Sequence, residues 1–138
     1  MGVKHVIQIG QILKTVGRKT LPLVKPDTWV NGACYMFALA VQKAFDGDIM
    51  AICSRDHYRH ELLFPVEHFV VLKQGYLLDA TGATIVSTYL IQDKEKYGSP
   101  VYLKKPTSQG VWTGDHRYEE EIVEQVVALF KEECEKYE

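Results

Sequence analysis

Two short apolar segments separated by a tight turn place the strongest constraint on how this 138-residue chain folds. The segments are HFVVL, residues 68–72, and YLLDA, residues 76–80, and the residues between them are Lys-Gln-Gly. Apolar runs rich in β-branched and aromatic residues on both sides of a glycine-containing turn predict a β-hairpin. The chain is therefore expected to contain antiparallel sheet.

The loop length of this hairpin decides which side chains share a face of the sheet. If residues 74 and 75 form a two-residue turn, Val70 lies opposite Asp79, and a four-residue turn that begins at Lys73 gives the same register. Side chains two positions apart share a face, so His68 and Asp79 become diagonal neighbours. An odd loop length would put them on opposite faces.

The stretch WVNGACYMFALAVQKAF, residues 29–45, contains a helical pattern. Its apolar stripe consists of Cys34, Phe37, Ala38, Val41 and Phe45. This spacing predicts an amphipathic helix from about Gly32 to Phe45, with Gly47 suited to end it. Cys34 then lies in the first turn, where unpaired N–H groups and the helix dipole favour a thiolate. In the simpler interpretation, Cys34 is a small apolar residue that begins the stripe.

The remaining segments complete an α+β pattern. The sequence predicts a helix at residues 3–16, an irregular surface connection at 17–28, a strand at 49–53, a helix at 84–97 ended by Gly98, a strand at 101–105 and a last helix with Asp115 as its N-cap. We expect a single domain over residues 1–138, with helices packed on a small antiparallel sheet.

The composition is that of an ordinary globular protein, with 46% hydrophobic residues, 25% charged residues and a net charge of -2. These values suggest neither a nucleic-acid partner nor a membrane partner, and no stretch approaches the ~20 apolar residues of a membrane span. Cys34, Cys53 and Cys134 form an odd set without CxxC spacing, which favours free thiols in a reducing compartment. Because the first residues also lack a signal-peptide pattern, we expect a cytoplasmic protein.

A cysteine at a helix start, with a histidine and an aspartate on one sheet face, is the set that nucleophilic catalysis requires. In this arrangement His68 takes the proton of the Cys34 thiol, and Asp79 orients the imidazole and stabilises its charged form. Each partner also has a simpler interpretation: His68 as a strand-end histidine, and Asp79 as a turn residue that bonds its own backbone.

Three stretches, WVNGACYMFALA, EHFVVL and GYLLDATG, resemble the papain-like cysteine hydrolases in the broad sense. That group includes transglutaminase-like, arylamine N-acetyltransferase-like and NlpC/P60-like enzymes. The resemblance implies a papain-like core, in which the nucleophile begins a core helix and the other two residues come from neighbouring strands. It also implies catalysis without a cofactor, on an amide, isopeptide or thioester carbonyl of a protein or peptide-like substrate.

Further residues are candidates for binding the substrate. By analogy with papain-like enzymes, Asn31 or the indole N–H of Trp29 is expected to join the Cys34 backbone N–H in an oxyanion hole. Asn31 could instead cap the helix. His57 and Tyr58 are candidates for lining the substrate cleft, although solvated loop residues would show the same pattern.

Two other functions fit parts of the sequence. Eight glutamates among residues 118–138 leave the first 117 residues with a net charge of +4, which is compatible with a non-catalytic binding or adaptor module for an acidic partner. A zinc site could use His57, His60, Glu61 and His68, with Cys53. Because neither HExxH nor paired CxxC spacing is present, we expect no metal. The sequence does not indicate the oligomeric state.

Overall fold

The computed structural model describes residues 6–54, 66–98, 101–106 and 116–137. Within them, the helices are α1 (Val6–Thr20), α2 (Cys34–Phe45), α3 (Val86–Tyr97) and α4 (Glu120–Glu135), and a 3-10 turn (Leu21–Val24) follows α1. The strands are β1 (Asp48–Ser54), β2 (Val66–Lys73), β3 (Tyr76–Asp79), β4 (Gly82–Ile85) and β5 (Val101–Lys104). They form one antiparallel sheet in the order β4-β3-β2-β1-β5, which confirms the predicted α+β class.

Helices cover both faces of this sheet. Phe69 and Val71 of β2 point into the larger core, which α1, α2 and α4 share. Val70 points the other way and packs with Leu77 and with Tyr89 of α3. This alternation follows from the pleat of a strand, on which successive side chains leave opposite faces. A strand buried on both faces therefore reads as the continuous apolar run seen in the sequence.

The apolar stripe of α2 forms the centre of the larger core. Phe37 and Phe45 both pack edge-on against Phe130 of α4, with ring centroids 5.6 and 5.4 Å apart. The helix begins at Cys34, two residues later than predicted. It ends at Phe45, as predicted, and Gly47 has the positive φ expected of it, 114°. The C-cap residue Asp46 also has a positive φ, of 63°.

Helix α1 extends further than the sequence indicated, because two glycines allow close packing on the sheet. It runs to Thr20, so residues 17–20 are helical and not part of an irregular connection. A Cβ on Gly17 would lie 3.1 Å from the Cβ of Ala80, and one on Gly10 would lie 3.4 Å from the backbone N of Ala83. Glycine weakens an isolated helix, but here it brings α1 close to the β3–β4 hairpin.

Two other boundaries differ from the prediction. Residues 82–85 form β4, whereas the sequence predicted a helix from residue 84, because this segment pairs with β3 along the sheet edge. The N-cap of α4 is Glu119, and Asp115 lies outside the described residues. The strands predicted at 49–53 and 101–105 are confirmed as β1 and β5. Among the helices described, none has the length and apolar character required to cross a membrane.

Candidate active site

The hairpin has the register that brings His68 and Asp79 to one face. Strands β2 and β3 are joined by a two-residue turn, in which Gln74 and Gly75 have φ values of 51° and 83°. Positive φ at both positions is typical of the type I′ turn, whose twist matches that of the flanking strands. Lys73 pairs with Tyr76, so the predicted register is confirmed.

His68 and Asp79 meet directly on the sheet face that α3 covers. The distance between His68 Nε2 and Asp79 Oδ2 is 3.0 Å. Both residues are buried, with 5% and 3% of their surface exposed. Because Nε2 is hydrogen-bonded to Asp79, only the other ring nitrogen, Nδ1, can exchange a proton with a second group.

The carboxylate of Asp79 accepts hydrogen bonds from Thr81 and Tyr89 in addition to its bond with His68. Its Oδ1 accepts the backbone N–H of Thr81 at 2.8 Å and the Thr81 hydroxyl at 2.5 Å. Its Oδ2 also accepts the hydroxyl of Tyr89 at 2.5 Å. The turn interpretation of Asp79 is therefore correct, and it coexists with the bond to His68. Burial raises the pKa of Asp79, but the bonds from His68, Thr81 and Tyr89 outweigh burial and lower it.

Cys34 is the first residue of α2 and is half-buried beside His68. The pairing of β2 with β3 ends at Val71 and Leu78, so Phe69 and His68 lie beyond it, although both still pair with β1. The backbone of Phe69 lies beside the Cys34 thiol. His68 Nδ1 has no hydrogen bond of standard geometry to any described residue. The thiol and the imidazole nevertheless act on each other electrostatically: His68 lowers the pKa of Cys34, and Cys34 raises that of His68.

The electrostatics of this pair favour a thiolate and an imidazolium. Burial raises the pKa of the Cys34 thiol, but the adjacent His68 ring and the backbone of Phe69 lower it overall. Burial also lowers the pKa of His68, yet Asp79 and Cys34 together raise it to about 9. These opposite shifts favour the ion pair of thiolate and imidazolium over the neutral pair.

The structure corrects the role expected for Trp29. Its indole N–H donates to the Gly17 carbonyl and to the Thr20 hydroxyl, each at 3.1 Å, and its ring packs against Phe37 in the core. The single indole hydrogen is already shared by two acceptors away from Cys34. The prediction that Trp29 is an oxyanion donor is therefore wrong. Its indole instead anchors the loop before α2 to helix α1.

Asn31 does not cap α2. It is exposed in a turn whose backbone hydrogen bonds, at 2.9 and 3.2 Å, link it to Thr28. Ala33 precedes the helix, and no described side chain caps it. The helix-cap interpretation is thus wrong, and the role of Asn31 as an oxyanion donor stays a prediction.

Most residues of the possible zinc site lie outside the described part of the chain. These are His57, His60 and Glu61, and the cleft candidate Tyr58 lies there too. In the described ranges, no group of three or more His, Cys, Asp or Glu side chains could hold a metal ion. Cys53 is buried, and burial raises the pKa of its thiol to about 11. Cys134 is buried as well, and both cysteines belong to the larger apolar core.

A pocket of about 290 Å³ borders the bond between His68 and Asp79 on the side of α3. Its other lining residues are Val30, Thr81, Tyr89, Gln92, Asp93 and Lys96. Burial raises the pKa of Asp93, although His68 and Lys96 act in the opposite direction. The sequence did not indicate Tyr89 or Asp93 as site residues. Tyr89 has the apolar spacing of α3, which predicts packing but not a hydrogen bond to a strand.

Comparisons of the chain with models of known protein families, with curated proteins and with solved structures found no match. The resemblance to papain-like hydrolases therefore stays a prediction from three short stretches of sequence. The residues and their geometry carry the functional interpretation.

Proposed function

We propose that this protein is a thiol-dependent hydrolase or acyltransferase that acts on an amide, isopeptide or thioester carbonyl. Cys34 is the nucleophile, His68 the general base and then acid, and Asp79 the residue that orients His68. The observation that carries the proposal is the buried 3.0 Å bond between His68 and Asp79, beside a thiol at the first residue of a helix. A papain-like core agrees with this layout.

The proposed reaction begins with proton transfer from the Cys34 thiol to Nδ1 of His68. The thiolate sulfur attacks the carbonyl carbon and forms a C–S bond, and the carbonyl oxygen becomes an oxyanion. The bond to the leaving group then breaks, and the His68 imidazolium gives its proton to that group. Water or another acceptor, deprotonated by His68, attacks the resulting thioester and releases Cys34. No cofactor takes part.

The start of α2 supplies the charge stabilisation that these steps require. The backbone N–H of Cys34 and the positive end of the helix dipole stabilise an oxyanion that forms next to the sulfur. Asn31, exposed three residues earlier, is the proposed second donor. The substrate is a protein or peptide-like amide, and the reducing cytoplasm suits a protein whose three cysteines are free thiols.

Competitive alkylation tests this proposal within one molecule. Iodoacetamide at pH 6 should label Cys34 much faster than Cys53 or Cys134, because thiolates react and thiols do not. Mass spectrometry of the three cysteine peptides gives the rates, and the two buried cysteines are internal controls. Replacement of His68 by alanine should slow the labelling of Cys34 and leave the rates of the two buried cysteines unchanged. Slow and equal labelling of all three would favour the alternative, a non-catalytic binding module.

A further inference from the structure

The carboxylate of Asp79 is held from two elements that are separate in the chain. Thr81, in the adjacent turn, donates twice to Oδ1. Tyr89, in the first turn of α3, donates to Oδ2, the oxygen that also accepts Nε2 of His68. Both oxygens are therefore fixed, and the carboxylate cannot rotate about its Cβ–Cγ bond without breaking a hydrogen bond.

Packing alone does not account for a tyrosine at this position. The residue is 7% exposed in the smaller apolar cluster, which contains Ile52, Val70, Leu77 and Val101. A phenylalanine ring would fill the same space among these side chains. The hydroxyl adds a bond to Asp79 at 2.5 Å, and a buried hydroxyl is costly unless it has such a partner.

We propose that Tyr89 is a positioning residue of the Cys34 centre, whose hydroxyl holds Asp79 Oδ2 in the orientation that meets His68. This inference rests on the proposed function, because it assigns Tyr89 a part in preparing that nucleophile. Tyr89 acts through Asp79 and has no assigned contact with substrate. Helix α3 thereby supports the site from the face of the sheet opposite α2.

The expected signature is a shift in the pH dependence of the Cys34 reaction. Among the described residues, the charged or titratable groups that act on Asp79 or its partner His68, or lie in the pocket beside them, are Cys34 from α2 and Tyr89, Asp93 and Lys96 from α3. The hydroxyl of Tyr89 favours the ionised carboxylate, and the ionised carboxylate favours the protonated ring that pairs with the thiolate. Without the hydroxyl, the acid limb of the alkylation profile should move to higher pH.

Tyr89→Phe is the test, with Tyr76→Phe as the matched control. Tyr76 belongs to the same strand as Asp79, but its side chain lies against the larger core on the opposite sheet face. Iodoacetamide rates at Cys34 are measured from pH 4.5 to 8 in the full chain. For Tyr89→Phe we expect about a three- to tenfold loss at pH 5 and a smaller loss at pH 8. The Tyr76→Phe profile should match the wild type.

Each outcome separates this inference from the proposed function. If Cys34 is reactive in the wild type and the pH profile of its alkylation is the same in Tyr89→Phe, the role of Tyr89 is overturned and the proposed function is not. A wild type without a preferentially reactive Cys34 would overturn both. The proton resonance of the His68 ring N–H gives a second measurement, which Tyr89→Phe should shift because both donors share one oxygen. An unchanged resonance in a folded variant also counts against the inference.

Discussion

Replacing Asp79 with asparagine should remove most of the reactivity of Cys34 at mildly acidic pH. Asparagine has nearly the same size, so the packing around residue 79 is preserved while the negative charge is lost. The imidazole of His68 is 5% exposed and has no bulk water to stabilise its charged form. Without the carboxylate, burial should therefore favour the neutral ring, and the thiol of Cys34 should keep its proton.

The size of this effect follows from the pKa of His68. That value lies at about 9 against an ordinary 6.5, although burial acts to lower it. At about 1.4 kcal/mol for each pKa unit, the protonated ring is favoured by about 3 kcal/mol. Asp79 and Cys34 share this contribution. If Asp79 supplies between half and all of this shift, Asp79→Asn reduces the thiolate population at pH 6 by about 20- to 300-fold.

The assay is the rate of Cys34 alkylation by iodoacetamide at pH 6, with Asp93→Asn as control. Asp93 undergoes the same chemical change in the same pocket, but it has no hydrogen bond to His68 in the part of the chain that the structure describes. A partly exposed charge contributes little, so this control should stay within about threefold of the wild type. Rates for Asp79→Asn within threefold of the wild type would refute the assigned role of Asp79.

Three more predictions concern stability. The raised pKa of His68 gives stability that is present below pH 6.5 and lost as the pH rises through about 9, whereas the lowered pKa of Cys34 gives stability that is lost as the pH falls. In the wild type these two contributions oppose each other. In Cys34→Ala only the His68 contribution remains, so the unfolding free energy measured in urea should fall more steeply than that of the wild type as the pH rises above 6.5. Gly17→Val should cost about 1–3 kcal/mol in urea unfolding, because its Cβ would crowd that of Ala80, and an unchanged midpoint would contradict the close contact. Trp29→Phe should lower the unfolding free energy by about 1 kcal/mol, because the hydrogen bonds of the indole are lost. The alkylation rate of Cys34 should stay unchanged, and a slower rate would show that the indole does contribute to the active site.

The parts of the fold that the sequence predicted well depend on short-range physics. The hairpin was predicted because two apolar runs flank a short turn that contains Gly75, and the register of a two-residue turn places His68 beside Asp79. The helix that begins at Cys34 was predicted because apolar side chains at helical spacing need a common core. Each of these signals lies within a few residues of the structure that it specifies.

Where the sequence interpretation was wrong, contacts between distant segments decided the structure. Trp29 donates to Gly17 and Thr20, which belong to another helix, and no local pattern indicates where an indole hydrogen will go. Residues 82–85 became a strand because β3 offered an unpaired edge, which outweighed their helical spacing.

By itself, the sequence determined a thiol at the start of a core helix and a histidine and an aspartate on one face of a hairpin, because turn chemistry and periodicity act locally. Only the tertiary structure decided that His68 lies beside that thiol and that Asp79 is also held by Tyr89 from a helix on the other side of the sheet. The physical reason is burial. Once water is excluded, each polar group needs a partner, and the packing of distant elements determines which partner it finds.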